Sequence, residues 1–499
     1  MRDQDVKRAV LIASILGSGI VFLDQTIVNV ALPAIRSSLH GSLADQQWVV
    51  EAYLLTLAAL LLLGGSLGDV LGRTRVFTAG LIGFGACSLA CALAPSPAFL
   101  IVARALQGVA GALLVPSTLA LIVDHFEPDE RGAAIGTWTA WTGVATVIGP
   151  VGGGVLVQAA SWRWIFLINV LPVAVTVALL RRLPPDHRQA GGIDWVGGLL
   201  CVLGLGGLVF GLIEQARYGF GDLRVLVPLI GGLALLGGFL AWEQRVPEPM
   251  MPLHLFAVRN FTVGNLTTLS VYGGLAVATF FLVVFIQQVG GYTPLAAGLS
   301  FLPITLMMFA LSRRFGALAS RFGPRPFMSV GPVLAGAGLL LFARAGAKPS
   351  YPGVILPGVL VFGLGLAATV APLTATVLGS VPARHSGLAS GTNNAMARIA
   401  GLLAIAAVGA AVSAGFASRL QRDLAHTSFS HGVVHAASRR PLVTNGPPAM
   451  HHALLDASIH AFRLGMVIAA ALAALGGLIA AVGIESTGNP RRRGSLPAP

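Results

Sequence analysis

The stretch Gly65-Ser66-Leu67-Gly68-Asp69-Val70-Leu71-Gly72-Arg73-Thr74-Arg75 decides the fold, because a degenerate copy of it returns later in the chain. The copy reads Gly316-Ala317-Leu318-Ala319-Ser320-Arg321-Phe322-Gly323-Pro324-Arg325. The Gly, Leu and Gly positions coincide, the arginine is displaced by one or two residues, and Ser320 stands where the first copy has an acid. A solvated charged turn would account for the first stretch alone. It does not account for a second copy between another pair of long apolar runs.

The number of apolar runs between the copies sets the architecture. A spanning helix needs about 20 apolar residues. Fourteen runs are readable between charged or Pro/Gly-rich breaks, over 9–33, 47–67, 76–95, 98–123, 132–158, 163–181, 194–215, 224–243, 261–288, 294–315, 326–345, 351–380, 386–412 and 461–484. The first copy follows span two and the second follows span ten, an offset that reads as six spans, an inserted pair and six more. The expectation is an all-α polytopic membrane protein. It would have an N-terminal six-helix bundle over 1–190, an inserted pair and linker over 191–258, and a C-terminal six-helix bundle over 259–499 with a long outer loop at 413–460. Related bundles facing each other around a midplane site are the layout of a rocking-bundle transporter.

Composition agrees. Of 499 residues 55% are hydrophobic and only 10% charged, with mean hydropathy +0.81, whereas a soluble domain carries about 25% charged residues. That excludes an ordinary cytosolic enzyme, a disordered chain and a secreted domain. The net charge of +13 is spread over short connectors rather than a block, which fits a membrane surface and not nucleic acid. With the N-terminus inside, nineteen Lys and Arg fall in cytoplasmic segments and six in short outer loops, so both termini are expected in the cytoplasm. Cys87, Cys91 and Cys201 lie inside apolar runs and give no disulfide framework. Lys7 and Arg8 precede a run of full spanning length with no small-residue cleavage site, so no cleavable signal peptide is read.

Charges inside the apolar runs stand out. Asp24 is nine residues from the outer end of span one, about 14 Å deep. A carboxylate there is costly unless paired or protonated, and is a functional candidate by default. Arg104, six residues into span four, lies about 9 Å below the surface and within reach of Asp24. The plain alternatives are an acid in a wet structural pocket and an arginine snorkelling to the headgroups. Glu51, about 7 Å deep in span two, and Arg398, twelve residues into span thirteen, are the other notable charges. Gln287, Gln288, Asn393 and Asn394 would either line a cavity or join helices.

Several motifs together resemble the major facilitator superfamily, specifically its fourteen-span drug:proton antiporters. The Gly65–Arg75 loop resembles that superfamily's GxLaDrxGrr signature. Leu23-Asp24-Gln25-Thr26-Ile27-Val28-Asn29-Val30-Ala31-Leu32-Pro33 resembles LDxTVVNVALP, and Arg104-Ala105-Leu106-Gln107-Gly108 resembles RxxQG. Gly149-Pro150-Val151-Gly152-Gly153-Gly154 is similar to the antiporter helix motif GPxxGG, although Ala145 stands where its extended form has glycine. Ser161–Asn169 and Ile193–Gly197 resemble the family's openings of span six and of the inserted pair, and support membership rather than chemistry.

The resemblance implies proton-coupled export of lipophilic drugs or natural products by alternating access, across the bacterial cytoplasmic membrane, by a monomer in contact with membrane lipids. Proton coupling would fall to Asp24, Arg104 and Glu51, and substrate binding to Asn29, Gln107, Trp141, Gln288, Asn394 and Arg398. Gly65, Asp69, Gly72 and Arg73 would form a cytoplasmic gate, and Gly149, Pro150, Gly153 and Gly154 the antiporter motif. No cofactor or metal is expected, since the chain carries no Walker A or HExxH pattern. Six of eleven histidines lie in or beside the 413–460 loop and read as an exposed polar segment. A membrane acyl or glycosyl transferase would want a His/Asp cluster at one face, and a non-transporting sensor would lack the Asp24/Arg104 pair. A proton-coupled importer is opposed only by the span-five motif.

Overall fold

The computed structural model describes residues 3–181, 192–247, 249–251, 253–381, 386–425, 429, 431–438, 441–442 and 447–485. Among them there is no strand. The helices are α1 (Asp3–Leu39), α2 (Leu43–Leu71), α3 (Arg73–Ala92), α4 (Pro97–His125), α5 (Pro128–Ala159), α6 (Trp164–Leu167), α7 (Val170–Leu180), α8 (Trp195–Tyr218) and α9 (Leu223–Glu243). They continue with α10 (Arg259–Gln288), α11 (Pro294–Ser300), α12 (Leu302–Phe322), α13 (Arg325–Phe342), α14 (Leu356–Gly379), α15 (Ser386–Leu424), α16 (His431–Ser438) and α17 (His451–Gly483). Taking α6–α7 and α11–α12 as broken rods and setting short α16 aside leaves fourteen rods among the described residues. Eleven are long and apolar enough to cross a membrane, and α2, α5 and α6–α7 complete the set. The chain is a multi-pass membrane protein.

Helices α1 to α7 pack on one another, as do α10, α12 to α15 and α17. Between the groups, α8 and α9 form a pair, and α8 also touches α2 and α15. The pair is tight because a Cβ on Gly207 would meet the Pro228 carbonyl, the small-residue contact that lets helix backbones approach in a membrane. The repeated loops fold alike. Gly72 (φ 104°) and Gly323 (φ 85°) both occupy backbone that an L side chain rarely adopts. The arginine after each glycine then reaches a helix end. Arg73 donates to Ala120 O near the end of α4 at 3.2 Å, and Arg325 donates to Ala481 O near the end of α17 at 2.7 Å, where C-terminal carbonyls attract cations.

One segment differs from its expectation. Much of the 413–460 loop is helical, because α15 continues to Leu424 and α17 begins at His451. Phe416, Leu420 and Leu424 recur every four residues and are buried, while Arg419 and Asp423 pair at 3.0 Å on the other side. This stretch is amphipathic rather than apolar, so a count of apolar runs ends before it.

Chain direction puts the described termini at one face and the α1–α2 turn at the other, the distal face. The two bundles are joined in their distal halves. Arg36 donates to Gln288 Oε1 at 3.0 Å, Gln47 to Ile405 O at 3.1 Å, and Gln287 to Val30 O at 3.0 Å. A Cβ on Gly298 of α11 would strike the Pro150 carbonyl of α5. Helix α4 packs on α1, α2, α3 and α5, and α14 on helices of its own bundle. Among the described residues these contacts between the bundles form a seal at the distal face.

Candidate functional site

Asp24 lies mid-way along α1, on the side turned into the first bundle, and is fully buried. Arg104 of α4, 1% exposed, donates from Nη1 to Asp24 Oδ2 at 2.5 Å. Gln107, one turn along α4, donates from Nε2 to Asp24 Oδ1 at 3.2 Å and to Ser88 Oγ of α3 at 2.8 Å. Asn169 donates from Nδ2 to the same two oxygens, at 3.2 and 3.3 Å. It sits in the break between α6 and α7, where Pro172 has no N–H to continue the ladder. Arg104 is itself held, donating from Nε to Val49 O at 3.0 Å and from Nη1 to Gln107 Oε1 at 2.8 Å. Its guanidinium stacks over Tyr53, 4.2 Å from the ring centroid. Five helical segments thus close a cage around one carboxylate. Removing one partner of a buried pair costs about 3–5 kcal/mol because the other charge is left uncompensated.

The opposite side of the same turn of α1 faces the second bundle. Phe22, Gln25 and Asn29, spaced for one helix face, are part-exposed, whereas Asp24 beside them is not. Arg398 of α15, 8% exposed, donates to Gln25 Oε1 at 3.2 Å and lies 5.9 Å from the Phe22 ring centroid. Asn394, one turn earlier on α15, is exposed. The Asn29 Oδ1 atom is buried and has no partner among the described residues. This face can offer hydrogen bonds to a small molecule between the bundles.

Residues 14–405 match the model of the Major Facilitator Superfamily. The chain belongs to that superfamily. It is a membrane transporter and not an enzyme. It is 37% identical over 413 residues to the Tetracenomycin C resistance and export protein of Streptomyces glaucescens, covering 80% of this chain and 74% of that one. It is 34% identical over 480 residues to the Puromycin resistance protein pur8 of Streptomyces alboniger, covering 94% and 89%. Multidrug resistance protein Stp of Mycobacterium tuberculosis is also 34% identical, over 422 residues, covering 83% and 77%. Among solved structures, a bacterial homolog of the human lysosomal transporter Spinster superposes with TM-score 0.65 at 16% identity over 95% of this chain and 97% of that one. The nucleoside transporter NupG gives 0.62 at 13% identity, over 96% and 100%. These two share the fold.

The superfamily loop and helix motifs fall at the ends and seams of the bundles. Arg73 pairs with Asp124 of α4 at 2.5 Å, on a partly exposed rim. Gly72 makes the turn, and Gly65 faces Pro116. The Asp69 side chain lies outside the described residues. In α5, Gly149 and Gly153 receive Thr26 and Ile27 of α1, while Gly154 meets Leu295 of α11. The motif therefore touches both the Asp24 helix and the distal seal.

The structure regroups the expected substrate residues. Gln107 belongs to the Asp24 cage, and Gln288 belongs to the distal seal through Arg36. Trp141 is 56% exposed on α5. Arg398 reaches Gln25, with Asn29 one turn along α1 from Gln25 and Asn394 one turn before Arg398 on α15, where it donates to Ser390 O. Glu51 is fully buried in α2, apart from the cage bonds, and neither carboxylate oxygen has a partner among the described residues. Sequence reasoning gave no chemistry to Asn169, Ser88, Tyr53 or Asp124. Of these only Asn169 stood in a recognised motif.

Proposed function

We propose that this transporter is a proton-coupled exporter of lipophilic small molecules across the bacterial cytoplasmic membrane, working as a monomer with both termini in the cytoplasm. The observation that carries the reading is the buried Asp24 carboxylate, held by Arg104, Gln107 and Asn169 on one side of α1. The other side of that turn presents Gln25 to Arg398 of the second bundle. The relatives named for antibiotic resistance and export support the direction of transport.

In this reading the distal face is the outer face, and the cavity loads from the cytoplasm. With Asp24 ionised, Arg104 is neutralised and the cage is satisfied. A proton on Asp24 removes an acceptor from Gln107 and Asn169 and leaves Arg104 without its counter-charge, so α1 shifts against α3, α4 and the α6–α7 break. Because α1 also carries Gln25 and Asn29, and packs on the α5 glycines, that shift changes the substrate face and the distal seal together. Residues 1–190 and 259–499 rock as two bundles, with 191–258 between them. Glu51 is a second proton carrier. Arg73, with Asp69 and Gly72, controls closure on the cytoplasmic side.

Dye efflux from cells stripped of their own pumps tests the energy source. Efflux is expected to stop when a protonophore collapses the gradient and to continue when ATP is depleted with the gradient maintained. Efflux that follows ATP and ignores the protonophore contradicts the reading.

A further inference from the structure

Arg398 carries a full charge into the space between the bundles, and its neutralisation is incomplete. It is 8% exposed, and no carboxylate lies within 4 Å of it among the described residues. Among the described residues its one hydrogen-bond partner is the neutral Gln25. A guanidinium has five N–H donors in a rigid fork, so most of its capacity is unused. One turn along α1 from Gln25, the Asn29 Oδ1 atom is buried with no donor among the described residues, a loss that ordinarily costs stability. Phe22, one turn the other way, lies beside the guanidinium. The face thus holds a spare donor fork at Gln25, an aromatic ring beside it, and a spare acceptor on the residue one turn along α1 from Gln25.

We infer that the compound carried at this site is an uncharged aromatic bearing a carbonyl acceptor for Arg398 and a hydroxyl donor for Asn29, and that Arg398 disfavours permanent cations. The inference rests on the inter-bundle substrate site proposed above and gives it a chemical class. Asp24 does not offset Arg398, because Arg104 already neutralises it. A cation about 7 Å from an uncompensated guanidinium meets a repulsion worth about tenfold or more in affinity at an effective dielectric near 20. A carbonyl at the same place gains a charge-assisted hydrogen bond, which is worth about tenfold or more.

Equilibrium dialysis of the purified full chain at pH 6.5 tests this with three probes: 4-hydroxybenzophenone, benzophenone and tetraphenylphosphonium. Wild type is expected to bind them in that order, with the hydroxyketone at least about tenfold tighter than the cation. Arg398→Gln should weaken both ketones by about tenfold, and Arg398→Glu should reverse the preference toward the cation. Asn29→Leu should erase the advantage of the hydroxyketone over benzophenone. The inference is overturned if folded Arg398→Gln binds the ketones within twofold of wild type, or if wild type holds the cation as tightly as the hydroxyketone. Should Arg398→Gln not fold, persistence of the hydroxyl advantage in Asn29→Leu overturns it alone. Failure of proton coupling looks different, as intact probe binding without gradient-driven transport.

Discussion

Asp24 and Gln25 are consecutive residues of α1 whose side chains go to opposite places. Asp24 pairs with Arg104 inside the first bundle at 2.5 Å, and Gln25 accepts a hydrogen bond from Arg398 of the second bundle at 3.2 Å. The proposed proton site and the proposed substrate face therefore share one helical turn, and a small rotation of α1 would change both.

The cage depends on neutral donors as well as on the ion pair. Asn169→Leu removes a donor from Asp24 Oδ1 and from Ser88, in a fully buried setting. It should destabilise the protein by about 1–3 kcal/mol and lower export severalfold, as read by thermal melting and dye efflux. Wild-type melting with wild-type export would remove Asn169 from the cage.

The distal seal should respond to a single methyl group. Gly298→Ala places a Cβ against the Pro150 carbonyl, which strains the sealed state and favours distal opening. A cysteine introduced at Leu295 in a background without the native cysteines should be labelled faster from outside by an impermeant maleimide, while turnover falls. Unchanged labelling would show that this contact does not hold the seal.

Arg73 lies at the rim, where its pair with Asp124 is partly exposed, far from Asp24. Arg73→Gln should leave equilibrium binding unchanged and slow turnover, because it acts on exchange between states. Lost binding with normal turnover would contradict this placement.

The second proton proposed for Glu51 would act through charge balance. One proton moving inward gains about 2.3 kcal/mol per 100 mV and about 1.4 kcal/mol per pH unit. At 100 mV and one pH unit this supports a neutral gradient of roughly 500-fold. A monovalent cation exchanged for one proton keeps only the pH component, about tenfold. Glu51→Gln should therefore reduce export of monovalent cations more than export of neutral compounds, relative to wild type. Equal losses for neutral and cationic compounds would contradict a second proton at Glu51.

The fold was legible in the sequence because helices in lipid must be apolar over about 20 residues, which makes spans countable, and because the Gly72 and Gly323 loops repeat. Asp24, Arg104 and Glu51 were legible for the same reason: a charge in an apolar run has few innocent explanations. Asn169 and Ser88 were not, since a neutral polar residue in a span gives no sign of the direction it faces. Gln107 and Gln288 look alike in sequence, yet one joins the carboxylate and the other the distal seal. The helical extension over 413–424 escaped because its apolar residues fall every fourth position instead of in a run.

The central claim is that Asp24 gives up a proton when substrate binds. It is tested most directly by adding saturating substrate to purified protein in weakly buffered solution with a pH-sensitive dye. Wild type is expected to release close to one proton per bound substrate, and Asp24→Asn to bind substrate and release none. Equal proton release from Asp24→Asn, or saturating binding to wild type without release, would contradict the account.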